Sequence, residues 1–224
     1  MVNVEASKLT KPTDGPISRY INRKISTRIT KYIVDHDIPV TPNQISIISF
    51  LLSLLSGSLF MLNNLVLGGI VTQVSSIIDG VDGELARALN KVSRFGGFLD
   101  AILDRLADTS IIIGLGFLLL SYNGYWHSFS TNQTSLLIIS LALSGDIIVS
   151  YLHARAEASL GRSLHELCRV PVFASRDVRL FIIFIGGILQ RPWETLLIIA
   201  ILSYTYILVR LLETSILYYR GTLS

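Results

Sequence analysis

The chain has few charged residues. Asp, Glu, Lys and Arg make up only 16% of its 224 residues, half of the residues are hydrophobic, and the mean hydropathy is +0.56. A soluble domain of this length needs more polar surface than that. The composition therefore argues against an ordinary soluble enzyme and indicates a protein that crosses a membrane several times.

Cysteine is nearly absent too. The single residue, Cys168, cannot form a disulfide within the chain, so a disulfide-stabilised secreted fold is excluded. Residues 1–35 are polar and basic and lack the apolar stretch of a cleavable signal peptide, so we expect none. The net charge of +3 is modest, and we expect no nucleic-acid partner.

The N-terminal 38 residues divide into two segments. We interpret residues 1–16, which contain Pro12, Gly15 and Pro16, as a flexible lead-in. Residues 17–38 follow a helical period and are predicted to form an amphipathic helix in the membrane interface, near anionic headgroups. An amphipathic helix packed on protein is the alternative, and both can hold. The apolar side carries Ile17, Tyr20, Ile21, Ile25, Ile29, Tyr32 and Ile33. The basic side carries Arg19, Arg23, Lys24, Arg28 and Lys31.

Residues 39–224 are predicted to form the main domain, an all-α bundle of six transmembrane helices. A span needs about 20 apolar residues, and the fifth of the stretches below is the shortest. The predicted spans are approximately Ile45–Leu62, Leu65–Leu89, Phe95–Leu120, Leu136–Ala156, Leu180–Leu189 and Trp193–Tyr219.

The distribution of basic residues predicts the orientation. With the N-terminus inside, 17 of the 19 Lys and Arg residues fall on the cytoplasmic side. Such an excess is typical of cytoplasmic loops. We therefore expect an integral protein of the cell membrane, with both termini and the acidic site described next on the cytoplasmic side.

Four aspartates interrupt the second and third predicted spans. Asp79 and Asp82 are three residues apart, and Asp100 and Asp104 are four apart, so each pair lies on one helix face. The two helices form a hairpin that turns at about Asn90–Arg94, which brings the pairs together. Carboxylates within a membrane are costly and indicate function.

Divalent metal would relieve the repulsion among these four carboxylates. Hard cations prefer oxygen ligands, and we expect Mg²⁺, with Mn²⁺ as the alternative and room for two ions. Structural ion pairs with Arg87 and Arg105 could explain one or two of the carboxylates, but not all four.

The segment 79–104 resembles a family motif. It reads DGVDGELARALNKVSRFGGFLDAILD and is similar, without a gap, to the pattern D-x2-D-G-x2-A-R-x8-G-x3-D-x3-D of the CDP-alcohol phosphatidyltransferase family. The fixed positions are all matched, by Asp79, Asp82, Gly83, Ala86, Arg87, Gly96, Asp100 and Asp104.

The resemblance implies roles for these residues. Asp79, Asp82 and Asp100 would ligate metal bound to the donor's diphosphate, and Asp104 would complete the site and act as the general base. Catalysis would thus rest on Asp100 and Asp104. It also implies a six-span fold and a homodimer among membrane lipids. The residues implied to contact the CDP-alcohol donor are Asp79, Asp82, Gly83, Ala86, Arg87, Ser93 and Gly96.

A second set of residues resembles the phosphate pocket of the family's inositol-phosphate-using members. An acceptor with a phosphomonoester, such as inositol 1-phosphate, would explain several arginines near the metal, although positive loop charge is the alternative. His153 departs from the pattern, because phosphatidylinositol-phosphate synthases usually have lysine there. The residues concerned are His153, Arg155, Arg176, Arg179 and Arg210.

A narrower resemblance concerns the donor. Residues 11–26, together with residues 75–84 and 175–180, resemble the membrane half of archaeal bifunctional proteins that join CDP-inositol to inositol 1-phosphate. In those proteins a soluble cytidylyltransferase makes CDP-inositol, and residues 1–16 are too short to hold such a domain. The resemblance implies a phosphorylated di-inositol phosphodiester, a compatible-solute precursor, as product. The alternatives are a phospholipid synthase with a CDP-lipid donor and, more remotely, a cation transporter or a metal-dependent hydrolase.

Overall fold

The computed structural model describes residues 14–121 and 132–221, and every regular element within them is a helix. The predicted all-α class is thereby confirmed. Residues 1–13 of the predicted lead-in lie outside the described part of the chain. A π-helical turn at Ser18–Asn22 precedes the α-helices. They are α1 (Arg23–Asp35), α2 (Pro42–Met61), α3 (Leu65–Ala88), α4 (Arg94–Ser121), α5 (Asn132–Leu160), α6 (Leu164–Leu167), α7 (Arg176–Ile188) and α8 (Pro192–Tyr219).

Four of these helices, α2, α3, α5 and α8, are long and apolar enough to cross a membrane. They correspond to the first, second, fourth and sixth predicted spans. Helix α4 has 28 residues but carries five charged side chains between Arg94 and Asp108. Helix α7 has only 13 residues, so it is about 20 Å long against a hydrocarbon core of about 30 Å. Spanning by α4 and α7 therefore remains a prediction.

Serines on one face of α2 join it to α3. Ser49 Oγ donates to the carbonyl oxygen of Ser75 at 3.1 Å, and Ser53 Oγ donates to Ser75 Oγ at 3.2 Å. One turn further on, Ser56 Oγ donates to the carbonyl oxygen of Gly68 at 2.9 Å. Lipid gives no hydrophobic drive for helices to associate, so hydrogen bonds and close packing must hold them. These bonds fix α2 beside the acidic part of α3.

Paired glycines allow two further close approaches. A Cβ atom on Gly57 of α2 or Gly114 of α4 would collide with the backbone of the other helix. The same is true of Gly69 on α3 and Gly187 on α7, where a Cβ on Gly187 would lie 2.6 Å from the carbonyl oxygen of Leu65. Helices α2, α3, α4 and α7 can therefore pack with their backbones almost in contact.

Helix α1 packs on α3 through polar side chains. Glu84 of α3 is fully buried and accepts hydrogen bonds from Ser26 Oγ and Thr30 Oγ1, both at 2.6 Å. Its Oε1 also lies 2.7 Å from Arg23 Nη1, and Arg23 Nη2 lies 2.7 Å from Asp14 Oδ1. Burial acts to lower the pKa of Arg23, but the two carboxylates outweigh it and raise that pKa above its ordinary value.

Part of the predicted apolar side of the N-terminal helical segment faces away from the protein. Tyr20, Ile21, Ile25 and Tyr32 are all exposed. Ile29 and Ile33 of the same predicted side instead pack against a buried apolar cluster of α2 and α3. Most of the predicted basic residues are exposed as well. Placement of this segment in the membrane interface remains a prediction, and the exposed part of the apolar side is compatible with it.

We expect Glu84→Ala to destabilise the protein by about 3 kcal/mol, because Arg23 loses a buried partner and two hydroxyl groups lose their acceptor. Thermal unfolding of the detergent-solubilised protein would measure this as a lower midpoint. Asp35→Ala, which removes an exposed carboxylate at the end of α1, is the matched control and should leave the midpoint nearly unchanged. Equal midpoints for the two variants would contradict the role of Glu84.

Candidate active site

Three of the four predicted aspartates converge where α3 meets α4. One carboxylate oxygen from each of Asp79, Asp100 and Asp104 lies within 4.8 Å of the other two. All three residues are half-buried. Oxygen atoms at this spacing are the ligands that Mg²⁺, Mn²⁺ and Ca²⁺ prefer, so the donor set fits a hard divalent cation.

The fourth aspartate points toward α2. Asp82 is 9% exposed and accepts a hydrogen bond from Ser46 Oγ. It lies outside the group of three, so its role as a metal ligand remains a prediction. The Oγ of Ser49, which stands one turn after Ser46, lies 3.3 Å from Asp79 Oδ1. The serine face of α2 thus supplies hydrogen-bond donors to both aspartates of α3.

Arg176, the first residue of α7, is bonded to three carboxylates. Its Nη1 lies 2.7 Å from Asp79 Oδ2 and 2.9 Å from Asp104 Oδ1. Its Nε lies 2.9 Å from Asp108 Oδ1. Asp108 is 2% exposed and stands one turn after Asp104 on α4. The guanidinium therefore offsets part of the negative charge of the cluster.

A cavity of about 260 Å³ opens on one side of the carboxylates. Asp82 and Asp100 form its inner wall, and α2 contributes Asn43 and Ser46. Ser93 Oγ accepts a hydrogen bond from the backbone N–H of Gly96 at 3.0 Å, which shapes the rim. Besides Asp82, the lining of the cavity includes five residues predicted to bind the donor, namely Gly83, Ala86, Arg87, Ser93 and Gly96. We call this space the donor cavity.

A larger cavity of about 740 Å³ lies on the other side of Asp104. Arg176, Arg179 and His153 line it, as their predicted role requires. Arg105 also lines it, and its guanidinium lies 3.7 Å from Asp104 Oδ2. We call this space the acceptor cavity. The carboxylates of Asp100 and Asp104 lie between the two cavities.

The buried arginines of this region are each paired with an acid. Arg179 Nε lies 2.7 Å from Asp146 Oδ1, and Arg179 Nη1 donates to the carbonyl oxygen of Ala174 at 2.6 Å. Arg210 Nη1 lies 2.8 Å from Glu213 Oε2. Such pairing makes burial of a guanidinium tolerable.

Two of the predicted acceptor residues do not line the acceptor cavity. Arg210 is fully buried behind its wall, where it packs 4.9 Å from the ring centre of Tyr206. The Tyr206 hydroxyl in turn lies 2.9 Å from Nε2 of His153, which does line the cavity. Arg155 is exposed and lines a separate hollow of about 400 Å³ between the ends of α5 and α8. Direct contact of either arginine with an acceptor stays a prediction.

Sequence reasoning missed two acids that belong to the site, Asp108 and Asp146. Both are 2% exposed and lie in apolar helices. The sequence did contain a signal for both acids, because a carboxylate inside an apolar helix is unusual. Asp108 also follows Asp104 at the helical repeat. Their arginine partners, 68 and 33 residues away along the chain, could not be read from spacing.

Residues 39–219 match the family of CDP-alcohol phosphatidyltransferases. The chain belongs to this family. It is therefore a transferase of substituted phosphate groups, and its apolar helices indicate an integral membrane protein. The resemblance in residues 79–104 is thereby confirmed.

Two kinds of protein recur among the curated relatives. A bifunctional IPC transferase and DIPP synthase of Rubrobacter xylanophilus is 42% identical over 203 residues, which are 89% of this chain and 42% of the relative. An archaetidylinositol phosphate synthase of Pyrococcus horikoshii is 38% identical over 174 residues, 78% of this chain and 83% of the relative. The chain spans about two fifths of the length of the bifunctional relatives.

Solved structures show the same fold. The phosphatidylinositol phosphate synthase of Mycobacterium tuberculosis in complex with manganese and citrate aligns with a TM-score of 0.67 at 26% identity. The alignment covers 84% of this chain and 88% of that one. The same enzyme with CDP-DAG bound aligns with a TM-score of 0.61 at 25% identity, over 85% of this chain and 89% of that one.

We expect Asp100→Asn to weaken Mn²⁺ binding at least about a hundredfold, because one of three charged ligands becomes a neutral amide. Electron paramagnetic resonance of free Mn²⁺, titrated against purified protein without nucleotide, measures the affinity. Asp35→Asn removes an exposed carboxylate distant in sequence from the site and should bind Mn²⁺ like the native protein. Native affinity in Asp100→Asn would show that the metal is held elsewhere.

Proposed function

We propose that this protein joins a CDP-activated alcohol to a phosphorylated alcohol acceptor and releases CMP. The observation that carries the proposal is the position of Asp100 and Asp104 between two cavities. The donor cavity is lined by Asp100 with other motif residues, and the acceptor cavity by Asp104 with three arginines. A transferase for two substrates needs such an arrangement, because the reacting groups must meet at one point.

Divalent metal belongs to this proposal. Asp79, Asp82 and Asp100 would hold it, with Asp104 completing the site, and two Mg²⁺ or Mn²⁺ ions are the expected complement. A related enzyme has been solved with manganese. When bound, the metal would neutralise the donor's diphosphate and stabilise the leaving CMP.

The chain's own residues would carry the remaining steps. Asp104 faces the acceptor cavity, and there its carboxylate would take the proton from the attacking hydroxyl group. That oxygen forms a bond to the β-phosphorus, the bond from this phosphorus to the bridging oxygen breaks, and CMP leaves in line with the attack. Gly83 and Ala86 leave space for the cytidine, and Arg87 would hold a phosphate through its guanidinium.

We infer that the acceptor carries a phosphomonoester, with inositol 1-phosphate as the proposed compound. Arg176 and Arg179 line the acceptor cavity and can present paired N–H groups to phosphate oxygens. His153 would add a third contact. Arg210 supports His153 through Tyr206. The names of the curated relatives, IPC transferase and archaetidylinositol phosphate synthase, are compatible with this acceptor.

For the donor we propose CDP-inositol, which would yield a phosphorylated di-inositol phosphodiester. The support is the 42% identity with the bifunctional relative and the resemblance in residues 11–26. A phospholipid synthase that uses a CDP-lipid is the second candidate. It is favoured by the archaetidylinositol phosphate synthase at 38% identity and by the related structure with CDP-DAG bound.

The proposal includes a membrane arrangement. We propose that α4 and α7 cross the bilayer with the other four helices, and that both termini and the site face the cytoplasm. The charged side chains of α4 lie near its N-terminal end, where they can reach the headgroup region. The exposed part of the apolar side of the N-terminal helical segment would lie in the membrane interface. A homodimer, as the family resemblance implies, completes the arrangement.

CMP release distinguishes the two donors. With Mg²⁺ and inositol 1-phosphate, we expect turnover with CDP-inositol and little with CDP-diacylglycerol. Turnover with the lipid donor alone would make the protein a phospholipid synthase. Asp104→Asn should lower the rate at least about a hundredfold, as expected for loss of a general base. No CMP from either donor, in folded protein with several acceptors, would contradict the transferase proposal.

Ala86→Leu tests the donor cavity separately from the metal. Because the larger side chain would fill part of a 260 Å³ space, we expect KM for the CDP-alcohol to rise about tenfold or more. Mn²⁺ affinity should stay native, since Ala86 is not a ligand. Ala158→Leu, on the exposed side of α5, is the matched control. Native KM in Ala86→Leu would place the cytidine elsewhere.

A further inference from the structure

Arg176 contacts both halves of the proposed site. Its Nη1 bonds Asp79 and Asp104, two of the three carboxylates that can hold a metal ion. Its side chain also lines the acceptor cavity. One guanidinium therefore touches the oxygen atoms that would bind metal and the space that would receive the acceptor's phosphate.

A metal ion would compete with Arg176 for two of its three carboxylate partners, but not for the third. A dication among Asp79, Asp100 and Asp104 would lie within a few ångströms of a guanidinium that bonds two of its ligands. Repulsion between two cations at that distance is strong where the dielectric constant is low. Asp108 is not in the group of three, so its 2.9 Å bond to Nε is not contested.

We propose that Arg176 exchanges partners when the site takes up a divalent cation. The guanidinium leaves Asp79 and Asp104, keeps Asp108, and presents Nη1 to the acceptor's phosphate. Arg176 is then a counter-cation before metal uptake and a phosphate ligand afterwards. The identity of the acceptor in this proposal rests on the proposed function.

Asp108 is the positioning residue of the exchange. It is buried, it is within 3.3 Å of Arg105 as well, and it holds the inner end of the guanidinium at Nε. An arginine fixed at Nε can change the direction of its terminal nitrogens without leaving the cavity wall. The side chain would thus be released from the metal ligands and remain available to the phosphate.

The exchange couples the two ligands. The metal releases Arg176 for the phosphate, and the phosphate favours the form in which Arg176 has left the metal ligands. Because binding linkage is reciprocal, each ligand must raise the affinity of the other by the same factor. Metal-loaded donor would consequently prepare the acceptor site, and the acceptor would bind weakly without metal.

Mn²⁺ titration of the purified full chain without CDP-alcohol tests the first half. Arg176→Gln removes the competing cation and should bind Mn²⁺ about tenfold more tightly than the native protein. Arg176→Lys keeps the charge and should stay near the native affinity. Arg162→Gln removes one charge from the exposed connection between α5 and α6 and should change nothing. Unchanged or weaker Mn²⁺ binding in Arg176→Gln, or equal tightening in Arg162→Gln, overturns the proposal.

Calorimetric binding of inositol 1-phosphate with and without Mn²⁺ tests the second half. In the native protein Mn²⁺ should raise this affinity about tenfold, a typical coupling. The increase should vanish in Arg176→Gln, shrink in Asp108→Asn and partly return in Asp108→Glu. If the phosphate bound the metal directly, Arg176→Gln would keep the full increase, and that result overturns the proposal.

These binding measurements need no turnover, so the exchange and the proposed function can fail separately. If the native protein releases CMP but Arg176→Gln binds Mn²⁺ with unchanged affinity, only the exchange is rejected. Tighter Mn²⁺ binding in Arg176→Gln, together with no CMP from any donor in the native protein, supports the competition and rejects the transferase function. Should Arg176→Gln fail to fold, as judged by gel filtration, the Asp108 variants decide. Full coupling in Asp108→Asn would then overturn the proposal.

Discussion

Repulsion among carboxylates is the constraint on which the rest of this structure depends. Asp79, Asp100 and Asp104 bring oxygen atoms within 4.8 Å of one another at the hairpin of α3 and α4. Charges so close and partly buried need compensation. Serine hydroxyls from α2 and the guanidinium of Arg176 from α7 supply part of it. Two further helices, α2 and α7, are therefore required around the two that carry the acids.

Close helix packing makes that compensation possible. The serine side chains that reach the acids from α2 are short, so α2 must approach the acidic helices closely. Gly57 and Gly114 bring α2 against α4, and Gly69 and Gly187 bring α3 against α7. A methyl group at any of these positions would push the backbones apart. The geometry of the site thus depends on glycines, which contribute no functional group to it.

The helices and the motif could be predicted from the sequence, but the acidic partners of the arginines could not. Helix α3 begins at the predicted Leu65, because apolar length and turn residues are local properties. The predicted donor residues other than Asp79 line one cavity, because the motif fixes their spacing on a single hairpin. Arg176 with Asp108 and Arg179 with Asp146 join residues far apart in the chain. Such pairs arise from tertiary packing, which neither periodicity nor composition encodes. For the same reason the sequence could not show that Arg155 lies in a separate hollow.

Phosphorus-31 electron–nuclear double resonance on the Mn²⁺-loaded protein with CDP bound tests the central claim most directly. The account holds that metal on Asp79, Asp82, Asp100 and Asp104 carries the donor's diphosphate beside the donor cavity. It predicts phosphorus couplings of directly coordinated phosphate, which Asp79→Asn abolishes. Tight Mn²⁺ binding with no phosphorus coupling would contradict it, because the metal and the nucleotide would then occupy different places.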